Sequence, residues 1–333
     1  MRSEPSASGY RPAASSTALP PQEIPRRIFQ TGKSFATSLA THRSTMATWW
    51  QRNPEYEYSF FSDARALRYV SQHAATHEQL AYRAVRTGAQ KADLFRLIAL
   101  RYHGGIYADA DTELRRPLRD FVPANASAVV GRFWGTEFMA FERGHPLLVR
   151  ALRTVTANVH RQARLMIKGN SSAHCGSPHS CVLLVTGPFA LRDALGRASR
   201  AMGCHVGGAL PHAGPSRASS AALGAKASGD APRSCPEAVR RTHVCLRDTG
   251  NIYRTWACDA AYHWDCRNSG AKRRCNSTHY SRLGGVRGKR AAWLFFNTSE
   301  IAAAAARGRR NVSSDAAPFS QIQAALSRVT GLD

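Results

Sequence analysis

The sequence lacks any apolar run long enough to cross a membrane. A spanning helix needs about 20 apolar residues in succession, and the 333 residues contain no such stretch. A positively charged start followed by an apolar core, typical of a secretory signal, is also missing. The first 22 residues are instead rich in Ser, Ala and Pro. We therefore predict a flexible stem over 1–22 and expect any membrane anchor to lie upstream of this chain.

Acidic residues and lysine are both scarce. The chain has 46 Lys and Arg against 22 Asp and Glu, a formal net charge of +24, and nearly all of the basic residues are arginine. The arginines are spread along the chain, without an evident stripe, zinc-finger spacing or RNA-binding aromatic motif. This argues against a nucleic-acid partner. We interpret the charge as a solvated surface, with attraction to an acidic partner (anionic lipid headgroups, a phosphorylated glycan or a diphosphate) as the alternative.

No pair of cysteines has the C-x-x-C spacing of zinc knuckles and redox sites. All eight cysteines lie between Cys175 and Cys275. An even number in a loop-rich region favours a disulfide framework, which forms in an oxidising compartment. We predict a Cys-rich disulfide segment over 235–275. The Gly-, Ala-, Ser- and Pro-rich stretch 206–234 before it is predicted to be a surface insertion.

Glycosylation sequons point to the same compartment. The N-x-S/T pattern without an intervening proline occurs at Asn125, Asn170, Asn276, Asn297 and Asn311. Any one match is weak evidence, because the pattern arises by chance. Together with the clustered cysteines, the five matches favour a lumenal or extracellular setting.

The rest of the chain has an α/β pattern. The spacing of apolar residues predicts a helix over 146–168, to which we assign a structural role. The short apolar runs 182–185 and 293–296, each bounded by turn residues, are predicted to be buried strands.

Residues 90–113 contain the pattern most typical of a functional site. A helical pattern ends at Gly104 and Gly105, because glycine accepts the left-handed conformation at a helix end. A buried strand over 106–108 follows, and then Asp109 and Asp111. If the chain stays extended, these two carboxylates point to the same side at the carboxyl end of the strand. Two close carboxylates suit a hard divalent ion such as Mn²⁺ or Mg²⁺.

Asp93 and Arg96 lie three residues apart on the preceding helix, hence on one face. Spacing alone is equally met by an ordinary ion pair. Their helix leads directly into the D-x-D strand, which favours a role at the site instead: Asp93 would accept hydrogen bonds from a ligand and Arg96 would donate them.

Several segments resemble the D-x-D glycosyltransferases of family 32, which include α-1,6-mannosyltransferases and inositol-phosphoceramide mannosyltransferases. The similarity is strongest in Lys91–Arg96 and Gly104–Thr112. Ile24–Gln30, Trp49–Tyr58 and Val185–Pro188 resemble further family segments, with Phe29 where a histidine is common.

The resemblance implies a GT-A fold over 23–333, with a mixed, mainly parallel sheet flanked by helices. It also implies a nucleotide-sugar donor held through Mn²⁺ or Mg²⁺, and transfer with retention of configuration. A late histidine often completes the metal site, and the nearest candidate is His279. The site residues implied are Asp109 and Asp111 as catalytic and metal-binding groups, His279 as a third metal ligand, and Asp93, Arg96, Ile28, Gln30, Tyr107 and Gly187 as donor-binding residues.

By the same resemblance the donor is GDP-mannose, the acceptor is a glycan or glycolipid, and the location is the Golgi lumen. A UDP-sugar-dependent transferase and a non-catalytic sugar-binding relative remain alternatives. A metal-dependent phosphoesterase is disfavoured, because the two-metal enzymes usually need further carboxylates and the sequence has no second acidic cluster.

Overall fold

The computed structural model describes residues 5–14, 20–130, 136–167, 178–204, 235–244 and 262–264. Within them, seven strands form one sheet in the order β1-β3-β2-β4-β7-β6-β8, and β5 pairs with β9. The strands are β1 (Tyr10–Arg11), β2 (Arg27–Gly32), β3 (Glu57–Ser62), β4 (Gly105–Ala108), β5 (Thr112–Leu114), β6 (Ala128–Val130), β7 (Phe138–Phe141), β8 (Thr242–Val244) and β9 (Tyr262–Trp264).

Helices cover both faces of this sheet. They are α1 (Phe35–Arg52), α2 (Asp63–His73), α3 (Thr76–Ala84), α4 (Gly88–His103), α5 (Pro146–Ile167), α6 (Pro178–Val185), α7 (Pro188–Ala201) and α8 (Glu237–Arg240), with a 3-10 turn at Leu118–Asp120. The predicted α/β class with a mixed sheet flanked by helices is confirmed. Parallel and antiparallel pairings are equally frequent among the described strands of the large sheet, three of each.

The parallel part of the sheet is β3-β2-β4. Parallel strands end at the same edge, so the loops after β2, β3 and β4 emerge together. Side chains alternate between two cores, because successive residues of a strand point to opposite faces. Ile28 packs in the core beneath α1, whereas Phe29 packs in the core beneath α4 and α5.

Local signals set the ends of α4. The Thr87 hydroxyl accepts a hydrogen bond from the Gln90 backbone N–H at 3.2 Å and caps the start. Gly104 ends the helix with φ +64°, where a Cβ would lie 2.7 Å from the backbone nitrogen of Arg143. The predicted helix, its glycine stop and the strand after it are confirmed.

Two predictions about local structure differ from what is observed. Residues 182–185 belong to α6 and not to a strand, since a short apolar run fits a buried helix turn equally well. Val182 and Val185, three residues apart, are buried while Leu184 between them is exposed. The predicted stem contains β1, which pairs antiparallel with β3 through Tyr10 and Ser59.

The Cys-rich segment contributes to the fold. Its β8 extends the large sheet beside β6, and its β9 pairs with β5 directly after the D-x-D. A disulfide joins Cys204 to Cys235 with their Cα atoms 5.1 Å apart, so it closes the two ends of the predicted 206–234 insertion. The insertion itself and the predicted strand 293–296 lie outside the described residues.

Candidate active site

The D-x-D occupies a tight turn between β4 and β5. The Thr112 backbone N–H donates to the Asp109 carbonyl at 3.0 Å, which closes the turn over Asp109–Thr112. The expectation of an extended D-x-D is therefore wrong, because the chain reverses as soon as β4 ends. The side chain of Asp109 is 32% exposed and Asp111 is half-buried, so both lie at the surface of the carboxyl edge.

Helix α1 fixes this turn from the other side. The Thr45 hydroxyl donates to the Ala110 carbonyl at 2.8 Å. The indole N–H of Trp49 donates to the Thr112 carbonyl at 2.6 Å. Buried donors thus satisfy the turn's carbonyl groups and hold the backbone between the two aspartates.

The side chain of Asp109 is oriented by two donors from the core. The Tyr107 hydroxyl donates to Asp109 Oδ1 at 2.8 Å, and Arg96 Nη2 approaches the same oxygen at 3.2 Å. The backbone carbonyl of Asp109 accepts from Gln30 Nε2 at 3.1 Å. Gln30 is in turn held by the Tyr58 hydroxyl, which donates to its Oε1 at 2.8 Å.

Arg96 connects the elements around the site. Its Nη2 also lies 3.4 Å from Asp93 Oδ1, its Nη1 donates to the Thr136 carbonyl, and its Nε donates to the Ala92 carbonyl at 3.2 Å. Its guanidinium stacks 4.5 Å from the centre of the Tyr107 ring. All three nitrogens are engaged, and the residue is only 4% exposed.

The charge of Arg96 is stabilised by this environment. Burial disfavours the cation, but Asp109, Tyr107 and Asp93 together outweigh burial and raise the pKa of Arg96 above its ordinary value. Arg96 therefore remains a permanent cation behind the D-x-D turn.

Asp93 is a buried carboxyl group with two protein partners. It is 5% exposed, and its Oδ2 accepts from the Thr186 hydroxyl at 2.9 Å. Burial raises the pKa of Asp93 to about 6, against the opposing effects of Arg96 and the Thr186 hydrogen bond. Asp93 is therefore protonated more readily than an ordinary aspartate, in contact with the cation that holds Asp109.

The other proposed donor-binding residues differ in position. The side chain of Ile28 is fully buried in the core, and its backbone lies inside β2 between β3 and β4, so no contact with a donor is evident for it. Gly187 begins α7, where a Cβ would lie 2.8 Å from the Val182 carbonyl, so close packing requires glycine there. His279 lies outside the described residues.

The described residues suit a divalent cation that is bound partly by protein carboxylates and partly by substrate phosphate oxygens. They contain no group of three or more His, Cys, Asp or Glu side chains that would form an all-protein metal cage. Asp109 and Asp111 supply carboxylate oxygens at an exposed edge. Mg²⁺ is commonly held by one or two carboxylates together with substrate phosphate oxygens, and the same arrangement suits Mn²⁺.

Comparison with known families bears directly on this turn. Residues 40–128, which include the Asp93–Arg96 pair and the D-x-D, match the family model described as "Glycosyltransferase sugar-binding region containing DXD motif". The resemblance to D-x-D glycosyltransferases of family 32 is confirmed. The match begins within α1 and ends at the start of β6, so it includes Tyr107 and Asp109 but not Gln30 or Thr186.

Two individual proteins are similar to part of this chain. The initiation-specific α-1,6-mannosyltransferase of Saccharomyces cerevisiae is 30% identical over 112 residues, which cover 31% of this chain. The chain spans about a quarter of that relative's length (23%). The structure of the PaToxG glycosyltransferase aligns with a TM-score of 0.38 and 17% identity, covering 55% of this chain and 72% of that one.

Among the helices in the described part of the chain, none combines the length and apolarity needed to span a bilayer. Of the five sequons, Asn125 lies in this part and is exposed.

Proposed function

We propose that this chain is a retaining, metal-dependent glycosyltransferase that moves mannose from GDP-mannose to a glycan or glycolipid acceptor in the Golgi lumen. The observation that carries the proposal is the buried network of Asp93, Arg96 and Tyr107, which holds Asp109 at the carboxyl edge of the parallel strands. The match of residues 40–128 to the sugar-binding family model supports the reaction class. The name of the yeast relative supports mannose.

Asp109 and Asp111 would hold Mn²⁺ or Mg²⁺, which neutralises charge on a diphosphate leaving group. Asp111 provides a second carboxylate at the exposed edge. Arg96 Nη2 lies 3.2 Å from Asp109 Oδ1 and fixes the position of one of these two carboxylate groups.

Arg96 acts through Asp109 and not on the donor directly. Its guanidinium is almost fully buried and its nitrogens are engaged by the protein. It is therefore a positioning residue that fixes one D-x-D carboxylate. Tyr107 has the same role through its hydroxyl group.

Asp93 and Thr186 form the side of the site that would face the donor sugar. The Thr186 hydroxyl fixes one oxygen of Asp93 and Arg96 fixes the other. A carboxyl group held from both sides has a fixed orientation, which suits it to accept a hydrogen bond from a sugar hydroxyl. Positive charge that develops on the sugar during transfer would be stabilised by the ionised form of Asp93.

Hydrolysis of nucleotide sugars by the purified full chain tests the proposal, because water can replace an unknown acceptor. We expect Mn²⁺-dependent release of mannose from GDP-mannose, loss of release with excess EDTA, and recovery when Mn²⁺ is restored. Asp109→Asn and Asp111→Asn should each lower the rate at least 100-fold. Asp193→Asn, an exposed aspartate on α7, is the matched control and should leave the rate unchanged.

Each outcome has a distinct meaning. Cleavage of a UDP-sugar in place of GDP-mannose would retain the transferase class and replace the donor. Binding of GDP-mannose without cleavage, even with acceptor glycans and glycolipids supplied, would indicate a non-catalytic sugar-binding relative. Absence of both binding and cleavage across the panel would refute the proposal.

A further inference from the structure

Helix α5 presents a stripe of arginines to solvent. Arg150, Arg153, Arg161 and Arg164 are all at least partly exposed. At 100° per residue they fall within an arc of about 80° and extend about 21 Å along the helix. The sequence-based expectation that arginines form no stripe is therefore wrong for α5.

Within the part of the chain that the structure describes, no acidic side chain pairs with this stripe. The 22 residues of α5 include no Asp or Glu. None of the four arginines forms an ion pair with another residue in the described part of the chain. By contrast, Arg27, Arg101 and Arg119 each pair with a carboxylate.

The neighbouring α7 continues the basic surface. It packs beside α5 in the same helical layer, and both contribute their apolar faces to one core. Their solvent faces therefore share the outer surface of that layer. Arg197 and Arg200 are exposed on α7, although Arg197 pairs with Asp193.

Two exposed apolar side chains lie at one corner of this layer, where α6 meets α7. Leu184 is 49% exposed and Phe189 is 44% exposed. Among the described residues only two other large hydrophobic side chains, Tyr10 and Leu67, are comparably exposed. The guanidinium of Arg192 lies 5.0 Å from the centre of the Phe189 ring, so the corner combines apolar surface with positive charge.

The same corner is directly connected to the active site. Thr186, between Leu184 and Phe189, donates its hydroxyl hydrogen to Asp93 at 2.9 Å. Leu184 and Phe189 are two and three residues from Thr186 along the chain. A surface bound to these two side chains would therefore lie close to the Asp93 carboxyl group.

We propose that the α5 arginine stripe and the α6–α7 corner together form a docking surface for an anionic lipid bilayer. Exposed Leu and Phe at a corner of the helical layer that carries the arginines match the chemistry of the lipid interface, which offers both an acyl layer and negative headgroups. A nucleic acid or acidic protein would use the arginines but offers no acyl layer for Leu184 and Phe189. Docking in this way would hold the active site close to a membrane surface. Anionic lipids are concentrated in the cytoplasmic leaflet, so this inference stands apart from the lumenal location proposed above.

Vesicle sedimentation with the full chain tests this surface, and it does not depend on catalysis. The probes are vesicles of phosphatidylcholine alone and vesicles of phosphatidylcholine with about 30% phosphatidylserine. We expect binding to the anionic vesicles only, and weaker binding as salt is raised.

Two double variants separate the two contributions. Arg161→Gln/Arg164→Gln should lower the partition coefficient on anionic vesicles about 25-fold, at about fivefold per arginine. Leu184→Asn/Phe189→Asn should lower it about 25-fold as well, since each half-exposed side chain contributes about fivefold. The control Leu67→Asn/Arg68→Gln replaces one exposed apolar residue and one exposed basic residue on α2. It should leave the partition coefficient within about twofold of the wild-type value.

Several outcomes would overturn the proposal. One is absence of binding to anionic vesicles by a folded wild-type chain, with folding checked by circular dichroism. Equal loss of binding in the α2 control and in both test variants would show nonspecific attraction. If the arginine pair weakens binding to vesicles and to duplex DNA equally, and the Leu184→Asn/Phe189→Asn variant weakens neither, the surface is a general polyanion site.

Discussion

Replacing Thr186 with valine tests the link between α6–α7 and the active site. Valine has a similar shape but lacks the hydroxyl that donates to Asp93 Oδ2 at 2.9 Å. Thr186 is 1% exposed, so water cannot readily replace the lost donor. A hydrogen bond to a buried charged group contributes about 1.5–3 kcal/mol. We expect the free energy of unfolding at pH 7.5 to fall by about 2 kcal/mol.

The same substitution should change the titration of Asp93. The Thr186 hydroxyl stabilises the carboxylate and lowers its pKa, which burial has raised to about 6. Without this donor the pKa of Asp93 should rise further. A larger fraction of Asp93 would then be protonated at neutral pH.

Urea denaturation followed by tryptophan fluorescence measures the effect, since Trp49 and Trp50 are buried and report on the core. Thr186→Ser is the matched control, because it keeps the hydroxyl and loses one methyl group, worth about 0.8 kcal/mol. In an Asp93→Asn background the loss caused by Thr186→Val should shrink, as the two groups interact directly. Equal losses for the Val and Ser variants, or an unchanged loss in the Asp93→Asn background, would refute the reasoning.

Three further predictions concern stability outside the site. Glu78 is fully buried and paired with Arg101, so Glu78→Gln should lower the free energy of unfolding in urea by about 3 kcal/mol; a change below 1 kcal/mol would show that the pair is dispensable. Reduction of the Cys204–Cys235 disulfide, or its replacement by two serines, should cost about 3–4 kcal/mol because it closes a loop with a sequence separation of 31; an unchanged urea midpoint would contradict this. Burial lowers the pKa of His145 to about 4 from about 6.5 unfolded, so the associated stability is present above pH 6.5 and is lost as the pH falls through 4. Between pH 7.5 and 5 the wild type should lose about 2 kcal/mol of stability that His145→Asn does not lose. Asn is chosen because His145 Nδ1 accepts from the Leu147 backbone N–H at 3.3 Å at the start of α5, and an amide oxygen can replace it. Identical pH profiles would argue against the titration of His145.

Much of the local structure around the D-x-D follows from nearby residues. The apolar spacing of α4, the glycine stop at Gly104 and the β4 strand all depend on interactions within a few residues. Short apolar runs are the weak case. Residues 182–185 carry no periodicity that separates a strand from about one helix turn, and in the structure they belong to a helix that packs against α7.

The arginine stripe was encoded in the sequence but is visible only with the helical period applied. Arg150 and Arg161 are 11 residues apart, almost exactly three helix turns, and so lie on one face. Counting charge along the chain hides this alignment. Whether the aligned arginines face acidic neighbours depends on which helices surround α5, and that is a property of the packing.

By itself, the sequence determined the α/β class, the position of the D-x-D after a buried strand, and the pairing of Asp93 with Arg96 on one helix. Each depends on spacing within a single element. Only the tertiary structure decided which distant groups contact Asp109, Asp93 and Arg96. Gln30 reaches Asp109 across 79 residues, Thr186 reaches Asp93 across 93, and the Thr136 carbonyl meets Arg96 across 40. Contacts at such separations arise from how the strands and helices pack, because no local conformational preference connects residues so far apart along the chain.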